Sequence, residues 1–469
     1  MSEVSYSRLK DIKSQVQRRQ SQLISQASPM RDQIVGEIYS RSEQIAKKVT
    51  KGHNDKKFDR DDRIDHILTS RIFGYPIMLI MLGVVIWVTI AGANVPSGLL
   101  GEFFGWAELQ LSFILSWLGT PLWLHDLLTV GLFRGVGWVI AVMLPPMAIF
   151  FPIFAILEDY GYLPRVAFNM DRFFKRVGAH GKQSLTMAMG FGCNAAGIIA
   201  CRIIESPRER LIAILTNNFV PCNGRWPTLI VMAAIFMGGA VGSAYSTIVA
   251  AAMVVVLVLI GISVTLAVAW GLSKTALKGI PSNFTLELPP YRRPQFGRTI
   301  LRSMMDKTWF VLRRAVIVAA PAGVITWLLG NIQLGELSIL AHIANFLQPI
   351  GYAMGLDGYI LMAFILGLPA NEIVLPILIM GYMASGGMME FDSLNSFRDL
   401  LVNHGWTWLT ALNMMLFSLL HYPCGTTIYT IAKETKSKKW TLLAVLIPTS
   451  IAVGVTFLVA QIVRFFGWV

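Results

Sequence analysis

Residues 190–197, with the sequence GFGCNAAG, are the feature that most constrains how this chain can fold. They lie in apolar sequence long enough to reach membrane depth, yet they contain three glycines, a cysteine and an asparagine. Further along, Pro221-Cys222 interrupts another apolar stretch. A proline removes a helical hydrogen bond, and unpaired backbone in a bilayer is tolerated only where protein or a water-filled cavity covers it. The two stretches therefore predict broken helices that line a site.

The composition is typical of a helical membrane protein. Hydrophobic residues make up 54% of the 469 residues and charged residues 14%, and the mean hydropathy is +0.58. These values predict an all-α polytopic membrane protein. The net charge of +13 does not indicate nucleic acid as a partner, because Lys and Arg cluster between apolar spans as in cytoplasmic loops. None of the four cysteines forms a Cys-x-x-Cys pair, so neither a disulfide framework nor a zinc knuckle is indicated.

Residues 1–70 are predicted to be a basic cytoplasmic helical arm. The segment is polar and has no apolar core of a signal peptide, and its basic residues favour a cytoplasmic N-terminus. The arm is either a solvated segment or a docking surface for a soluble partner.

The first membrane repeat is predicted at 71–275. A span at 73–95 precedes an external amphipathic helix at 103–124, and a second span follows at 127–157. Both flanks of the apolar segment 184–203 are basic. The positive-inside rule therefore favours a re-entrant hairpin that enters from inside and turns at the glycines.

Two crossings and a loop complete this half of the chain. A crossing at 211–238 is broken at Pro221, and a span at 244–273 returns to a basic cytoplasmic loop at 276–312.

The second membrane repeat, at 313–469, follows the same plan in the opposite sense. A span at 315–331 leads to an external amphipathic helix at 333–350. Residues 357–385 contain Pro369 and precede an acidic loop, so they are predicted to be a hairpin that enters from outside. If they span fully instead, the C-terminus changes sides.

A crossing at 406–432, broken at Pro423-Cys424, and a span at 440–466 end the chain. The prediction is thus an inverted-repeat bundle of about seven spans plus two re-entrant hairpins, in which Pro- and Gly-broken helices form a site at the midplane.

These motifs together resemble the membrane domain of FeoB-type ferrous iron transporters. Residues 190–194 (GFGCN) match the start of that family's motif Gly-Phe-Gly-Cys-Asn-Val-Pro, and residues 369–372 (PANE) are similar to its Pro-Ala-Lys-Glu. Further matches are Cys222, Arg225 and Pro227, residues 157–162 (LEDYGY), 170–172 (MDR), 205–210 (ESPRER), Pro423-Cys424 and 434–440. The resemblance covers about residues 55–466 and implies transport of Fe(II) into the cytoplasm through a bacterial plasma membrane.

The chain also departs from that family. Ala195-Ala196 replaces Val-Pro, Pro221 and Asn223 flank Cys222, and Asn371 replaces Lys. No Gly-x-x-x-x-Gly-Lys-Ser/Thr nucleotide loop is present, so the resemblance implies a permease without its own GTP-binding domain and no permanently bound cofactor. It further implies a separate GTP-binding subunit, a FeoA-like small protein and a homo-oligomer as candidate partners.

The candidate metal ligands are the polar residues at the breaks. Fe(II) accepts thiolate, imidazole and carboxylate ligands, and an acid inside a span usually marks a pathway. The candidates are Cys193, Cys222, Glu372, Cys424, Asn194 and Asn371. The residues expected to shape the gates are Gly190, Gly192, Pro221, Arg225, Pro227, Pro369 and Pro423.

Each candidate also has a structural interpretation. A lone buried cysteine is usually a small apolar residue, as expected for Cys201, and the asparagines could cap helices. Glu372 could pair with a loop arginine, and Arg225 with an acid or a freed carbonyl. Met187 and Met189 are expected to pack, and His421 is a weaker candidate ligand.

Two other functions are compatible with these motifs. Similar gate segments occur in nucleoside-recognition membrane proteins, so the chain could transport a nucleoside or another organic solute through a pocket with aromatic and hydrogen-bonding groups. It could also be an assembly partner that transports nothing. An enzyme is not indicated, because no acyl-transfer or nucleotide motif is present.

Overall fold

Helices form nearly all of the structure in the computed structural model. It describes residues 33–34, 36–46, 48–49, 55–70, 72–238, 246–279, 291, 295–383 and 394–468. Residues 1–32, 35, 47 and 50–54 of the predicted N-terminal arm lie outside the described residues.

The helices of the first half run from the arm to the end of the first repeat. They are α1 (Asp55–Leu68), α2 (Gly74–Trp117), α3 (Leu122–Asp126), α4 (Arg134–Asp159), α5 (Tyr162–Arg176), α6 (Gln183–Gly192), α7 (Asn194–Ala200), α8 (Pro207–Thr216), α9 (Trp226–Met232) and α10 (Ser246–Lys274). A π-helical turn at Leu127–Phe133 joins α3 to α4, and another at Ala233–Gly238 extends α9.

The second half contains the remaining helices and a short hairpin. They are α11 (Phe296–Ser303), α12 (Trp309–Asn331), β1 (Gln333–Leu334), β2 (Leu337–Ser338), α13 (Ile339–Ala353), α14 (Gly358–Leu366), α15 (Val374–Met383), α16 (Leu394–Asn403), α17 (Trp408–Leu420), α18 (Gly425–Thr435) and α19 (Lys438–Phe465). The strands β1 and β2 are antiparallel, with Gln333 opposite Ser338.

One predicted boundary is wrong. The span at 73–95 and most of the interface helix at 103–124 belong to one helix, α2, which is 44 residues long, passes through Pro96 and ends at Trp117. A proline removes a single hydrogen bond, and the apolar residues on both sides let the helix continue. The predicted loop at 276–312 also contains helix, since α11 and a π-helical turn at Met304–Thr308 lead into α12.

The first hairpin folds back at Cys193. A Cβ on Gly197 of α7 would lie 2.8 Å from the carbonyl oxygen of Thr186 in α6, whereas eleven residues of continuous helix would separate them by roughly 16 Å. The second hairpin behaves alike, because a Cβ on Gly381 of α15 would lie 2.9 Å from the ring of Tyr359 in α14.

Fewer helices than the seven predicted spans are both long and apolar enough to cross a membrane. Among the described residues, five helices are long and apolar enough to cross a membrane, or six if α13 and α14, which are bent by 113°, count as one span. Two predicted spans fall outside this count: Ala315–Asn331 is a shorter apolar helix, and the crossing α17–α18 is divided into helices of 13 and 11 residues. An all-α polytopic architecture is confirmed, and the predicted total of seven spans stays a prediction.

Candidate functional site

All six predicted metal ligands line one small cavity between the two repeats. The cavity has a volume of about 20 Å³, which is enough for one water molecule or one dehydrated ion. Its walls are Met143, Met147, Gly192, Cys193, Asn194, Cys222, Gly224, Ala315, Pro369, Ala370, Asn371, Glu372, Cys424, Thr426 and Thr427. Four chain breaks that are far apart in sequence therefore meet at one point.

Cys193 reaches the cavity because the chain is extended there. Its backbone angles are φ −154° and ψ 123°, so α6 ends before it and α7 begins after it. The preceding glycine is required for packing, since a Cβ on Gly192 would overlap the ring of Phe150. Cys193 is 8% exposed.

Cys222 lies in the break between α8 and α9. Pro221 precedes it, and a 3₁₀ turn follows at Asn223–Arg225. Gly224 in this turn packs against the carboxylate of Glu372, because a Cβ at that glycine would overlap Oε1 of Glu372. The break of the first repeat thus holds the acid of the second.

Glu372 and Asn371 occupy the tip of the second hairpin. Glu372 is 8% exposed, and no ion pair joins it to a basic residue in the described part of the chain, so the alternative of a loop arginine partner is not observed. The amide of Asn371 lies 4.0 Å from Sγ of Cys222. Its Oδ1 is buried without a hydrogen-bond partner among the described residues. This cavity wall therefore contains an acceptor that a cation or a water molecule could satisfy.

Cys424 lies at the N-cap position of α18 and also lines the cavity. Its Sγ lies 3.3 Å from Oγ1 of Thr427. The next residue, Gly425, donates its backbone N–H to the carbonyl of Leu368 at 2.6 Å, which fastens this break to the second hairpin.

Arg225 does not line the cavity but holds two breaks in place. Its fully buried guanidinium donates to the carbonyls of Asn218 (2.6 Å), Leu419 (2.9 Å) and His421 (3.0 Å). The last carbonyls of a helix lack intrahelical partners, so this side chain caps the end of α17 just before Pro423. Of the two predicted partners of Arg225, the freed carbonyl is the one observed.

Several predicted residues lie away from the cavity. His421 is buried between aromatic rings, and its Nδ1 lies 2.9 Å from the carbonyl of Ser418. The thiol of Cys201 is buried 3.3 Å from the carbonyl of Gly197, and Met187 belongs to the core. Gly190, Pro221, Pro227 and Pro423 are not among the cavity walls, and their role in shaping the breaks stays a prediction.

Sequence reasoning missed part of the cavity wall. Met143 and Met147 of α4 contribute soft thioethers, and Thr426 and Thr427 contribute hydroxyls. The sequence did carry a signal for the methionines, because Pro145 and Pro146 lie between them inside an apolar span, and the backbone groups that a proline frees in a membrane must be covered by protein or water.

The described residues do not form a ready chelate. No group of three or more His, Cys, Asp and Glu side chains among them lies close enough to hold one metal ion. The arrangement offers three thiols, a carboxylate and two amides around one space, which suits transient coordination better than permanent binding.

Comparisons with known proteins agree with this architecture. The family model described as Gate, nucleoside recognition, matches residues 140–236 and 312–438, which contain the two hairpins and the two broken crossings. The model described as Ferrous iron transport protein B C terminus matches residues 254–307. No solved structure matches the chain.

The relatives carry the same family name. The Fe(2+) transporter FeoB of Staphylococcus aureus strain COL is 31% identical over 474 residues, which cover 95% of this chain and 68% of that protein. FeoB of Methanocaldococcus jannaschii is 30% identical over 92% of this chain and 62% of its own. A Fe(2+) transport protein A/Fe(2+) transporter FeoB fusion protein of Porphyromonas gingivalis is 29% identical over 86% and 51%. With this identity across both gate segments, the chain belongs to the FeoB family.

Proposed function

We propose that this chain transports ferrous iron, or a related divalent metal ion, across the plasma membrane through the cavity at the helix breaks. The observation that supports the proposal most is the convergence of Cys193, Cys222, Cys424 and Glu372 on one cavity. Thiolates and a carboxylate favour Fe(II), Mn(II), Co(II) or Zn(II) over Mg(II) and Ca(II). The cargo ion is the substrate, and the FeoB relatives named Fe(2+) transporters support this choice.

The size of the cavity argues against an organic solute. Sites for small organic molecules usually have volumes of about 300–1,000 Å³, whereas this cavity measures about 20 Å³. A nucleoside could not enter it in the observed conformation, and a dehydrated metal ion could. The relatives named Fe(2+) transporters favour a transporter over an enzyme.

Uptake into proteoliposomes tests the proposal. Cys193→Ser and Cys222→Ser each keep the side-chain size but harden the ligand, so Fe(II) uptake should fall more than Mn(II) uptake. Glu372→Gln removes the acid and should lower the affinity for every divalent ion. Nucleosides should not compete.

Cys201→Ser is the matched control. This thiol is buried in the same hairpin but does not touch the cavity, so the variant should transport like the wild type after normalisation to folded protein. Full uptake and an unchanged metal order in Cys193→Ser, Cys222→Ser and Glu372→Gln would place the path elsewhere.

The N-terminal arm is proposed to dock a separate GTP-binding subunit, and the fusion relative supports a FeoA-like protein as another partner. The structure limits how the arm can be tested. Asp65 of α1 pairs with Arg165 of α5 at 2.9 Å, and Leu68 accepts a hydrogen bond from Asn169 at 2.7 Å. A deletion should therefore stop at residue 54. If the arm docks the subunit, this deletion should abolish the GTP dependence of uptake and leave the protein folded; unchanged GTP dependence would refute the docking role.

A further inference from the structure

A second and larger cavity adjoins the first hairpin. Its volume is about 470 Å³. Ala196 and Ala200 of α7 form one side, and Thr430 and Glu434 of α18 form the other. Glu158 at the end of α4 also borders it.

The same two helices line both cavities. On α7, Asn194 borders the small cavity and Ala196 the large one. On α18, Thr427 borders the small cavity and Thr430 the large one. Three residues of helix advance about 4.5 Å, so the two cavities follow one another along the groove between α7 and α18.

The narrow part of this groove is made of small residues and hydroxyls. Oγ1 of Thr430 donates to the carbonyl of Thr426 at 2.8 Å, and the facing positions on α7 are alanines. No charged side chain from α7 or α18 has to leave this part of the groove for an ion to pass from one cavity to the other.

The volumes differ in a way that matters for an ion. The small cavity holds about one dehydrated ion. Six water molecules occupy about 180 Å³ at about 30 Å³ each, so the large cavity has room for an ion with a complete hydration shell.

An ion pair joins α7 and α18 at the far end of the large cavity. Arg202, in the turn after α7, donates through Nε (2.9 Å) and Nη2 (2.6 Å) to the carboxylate of Glu434 near the end of α18. The side chain of Arg202 is 62% exposed and that of Glu434 is 12% exposed. The arginine side of the pair faces water, which competes for its hydrogen bonds and allows the pair to open.

We infer that the large cavity is the vestibule into which a divalent cation passes from the cysteine-lined site and regains water, and that the Arg202–Glu434 pair is its gate. The inference rests on the proposed function. When the pair opens, one tie between the turn after α7 and the end of α18 is lost, and the carboxylate of Glu434 becomes available to the hydrated ion. The vestibule opens on the side where Lys182, Arg202 and Lys433 lie, which the positive-inside rule makes the cytoplasmic side.

Thiol accessibility tests this inference without relying on metal transport. Thr430→Cys is treated with a membrane-impermeant charged thiol reagent on either face of the membrane, and labelling is measured on the peptide that contains the new cysteine. It should react from the cytoplasmic face only. Adding Arg202→Gln should raise the rate by about twofold or more, because the ion pair that closes the cavity is lost.

The charge-reversed pair Arg202→Glu with Glu434→Arg should restore the slower rate. Glu205→Gln is the matched control, because Lys182–Glu205 is an ion pair at 3.3 Å beside the same hairpin that does not involve α18, and it should leave the rate unchanged. Ala200→Cys on the opposite wall repeats the test if Thr430→Cys does not fold.

The outcomes separate the two proposals. If the labelling rate changes in the gate variants as expected but the wild type takes up no metal, a gated vestibule is supported and a divalent metal ion is refuted as the substrate. Labelling from the external face would overturn the vestibule even if iron uptake is normal. So would a labelling rate that the gate variants leave unchanged at both Thr430→Cys and Ala200→Cys.

Discussion

The two repeats have the same backbone geometry at their breaks but different chemistry. Cys193 and Ala370 precede Asn194 and Asn371 at the hairpin tips, and their backbone angles are nearly the same, φ −154° and ψ 123° against φ −150° and ψ 123°. The first tip supplies a thiol at this position and the second a methyl group. The second tip instead supplies Glu372.

The buried charged residue of each repeat contacts the other repeat. The buried cation of the first repeat, Arg225, caps α17 of the second. The buried acid of the second, Glu372, packs against Gly224 of the first. No ion pair joins Arg225 to Glu372 among the described residues, which agrees with the proposed role of this carboxylate as a cation ligand. The lesson is that the repeats are alike in shape, whereas the site depends on where they differ.

The largest expected effect comes from removing the buried cation. Arg225→Met should destabilise the protein by about 3–5 kcal/mol, because the carbonyls at the end of α17 lose charged donors at a buried position. Arg225→Lys should be intermediate, since an ammonium cannot reach all of these carbonyls. Thermal unfolding in detergent measures the difference. The exposed Arg298 on α11 provides the control, and Arg298→Met should leave the melting temperature unchanged; an equal melting temperature for Arg225→Met would refute the cap.

The next effect comes from the contact between Gly224 and Glu372. Gly224→Ala should push the flexible carboxylate out of place and lower the affinity for divalent ions about tenfold, as loss of support for a metal ligand does. Adding Glu372→Gln should cause no further loss.

Gly425→Ala is the control at the corresponding break, because the atom nearest to its new Cβ lies at an ordinary 3.4 Å. Transport by Gly224→Ala at the wild-type affinity would mean that the position of Glu372 does not matter.

A smaller effect tests whether the two tips are equivalent. Cys193→Ala should reduce Fe(II) uptake, and Ala370→Cys in the same protein should restore part of it, because the second tip presents its side chain from a matching backbone. Fe(II) uptake by the single and double variants decides the point. A double variant no better than Cys193→Ala would show that the thiol is needed on the first repeat alone.

The smallest effect concerns the attachment of the arm to the first repeat. Burial raises the pKa of Asp65, but hydrogen bonds from Arg165 and Tyr291 outweigh it and hold the pKa below its ordinary value of 3.8. The pair therefore stabilises the fold above about pH 3.8 and stops doing so as the pH falls through the lowered pKa. Asp65→Asn should cost about 1 kcal/mol at neutral pH. Melting curves of variant and wild type should converge in acid; a constant difference would exclude the ion pair as the cause.

The sequence predicted the kind of fold and the position of its breaks well. Apolar spans, basic loops and the Pro-Cys pairs at Pro221 and Pro423 are local signals, because a bilayer requires every backbone group to be paired or covered. The break between α2 and a separate interface helix was predicted wrongly, since Pro96 and the nearby glycines weaken a helix without ending it. The total of spans could not be read from hydropathy, because the span at Ala315–Asn331 is short and the crossing α17–α18 is divided into two short helices.

The residue types at the site were determined by the sequence itself, since glycine, proline, cysteine and an acid in apolar segments already marked the four breaks. The tertiary structure alone decided which of these residues meet. Packing between the repeats placed Gly224 against Glu372 and the guanidinium of Arg225 at the carbonyls of α17. It also placed Met143 and Met147 at the cavity and His421 away from it. These contacts join residues that are distant along the chain, and no local pattern encodes them, because the free energy that selects them comes from burying both partners together.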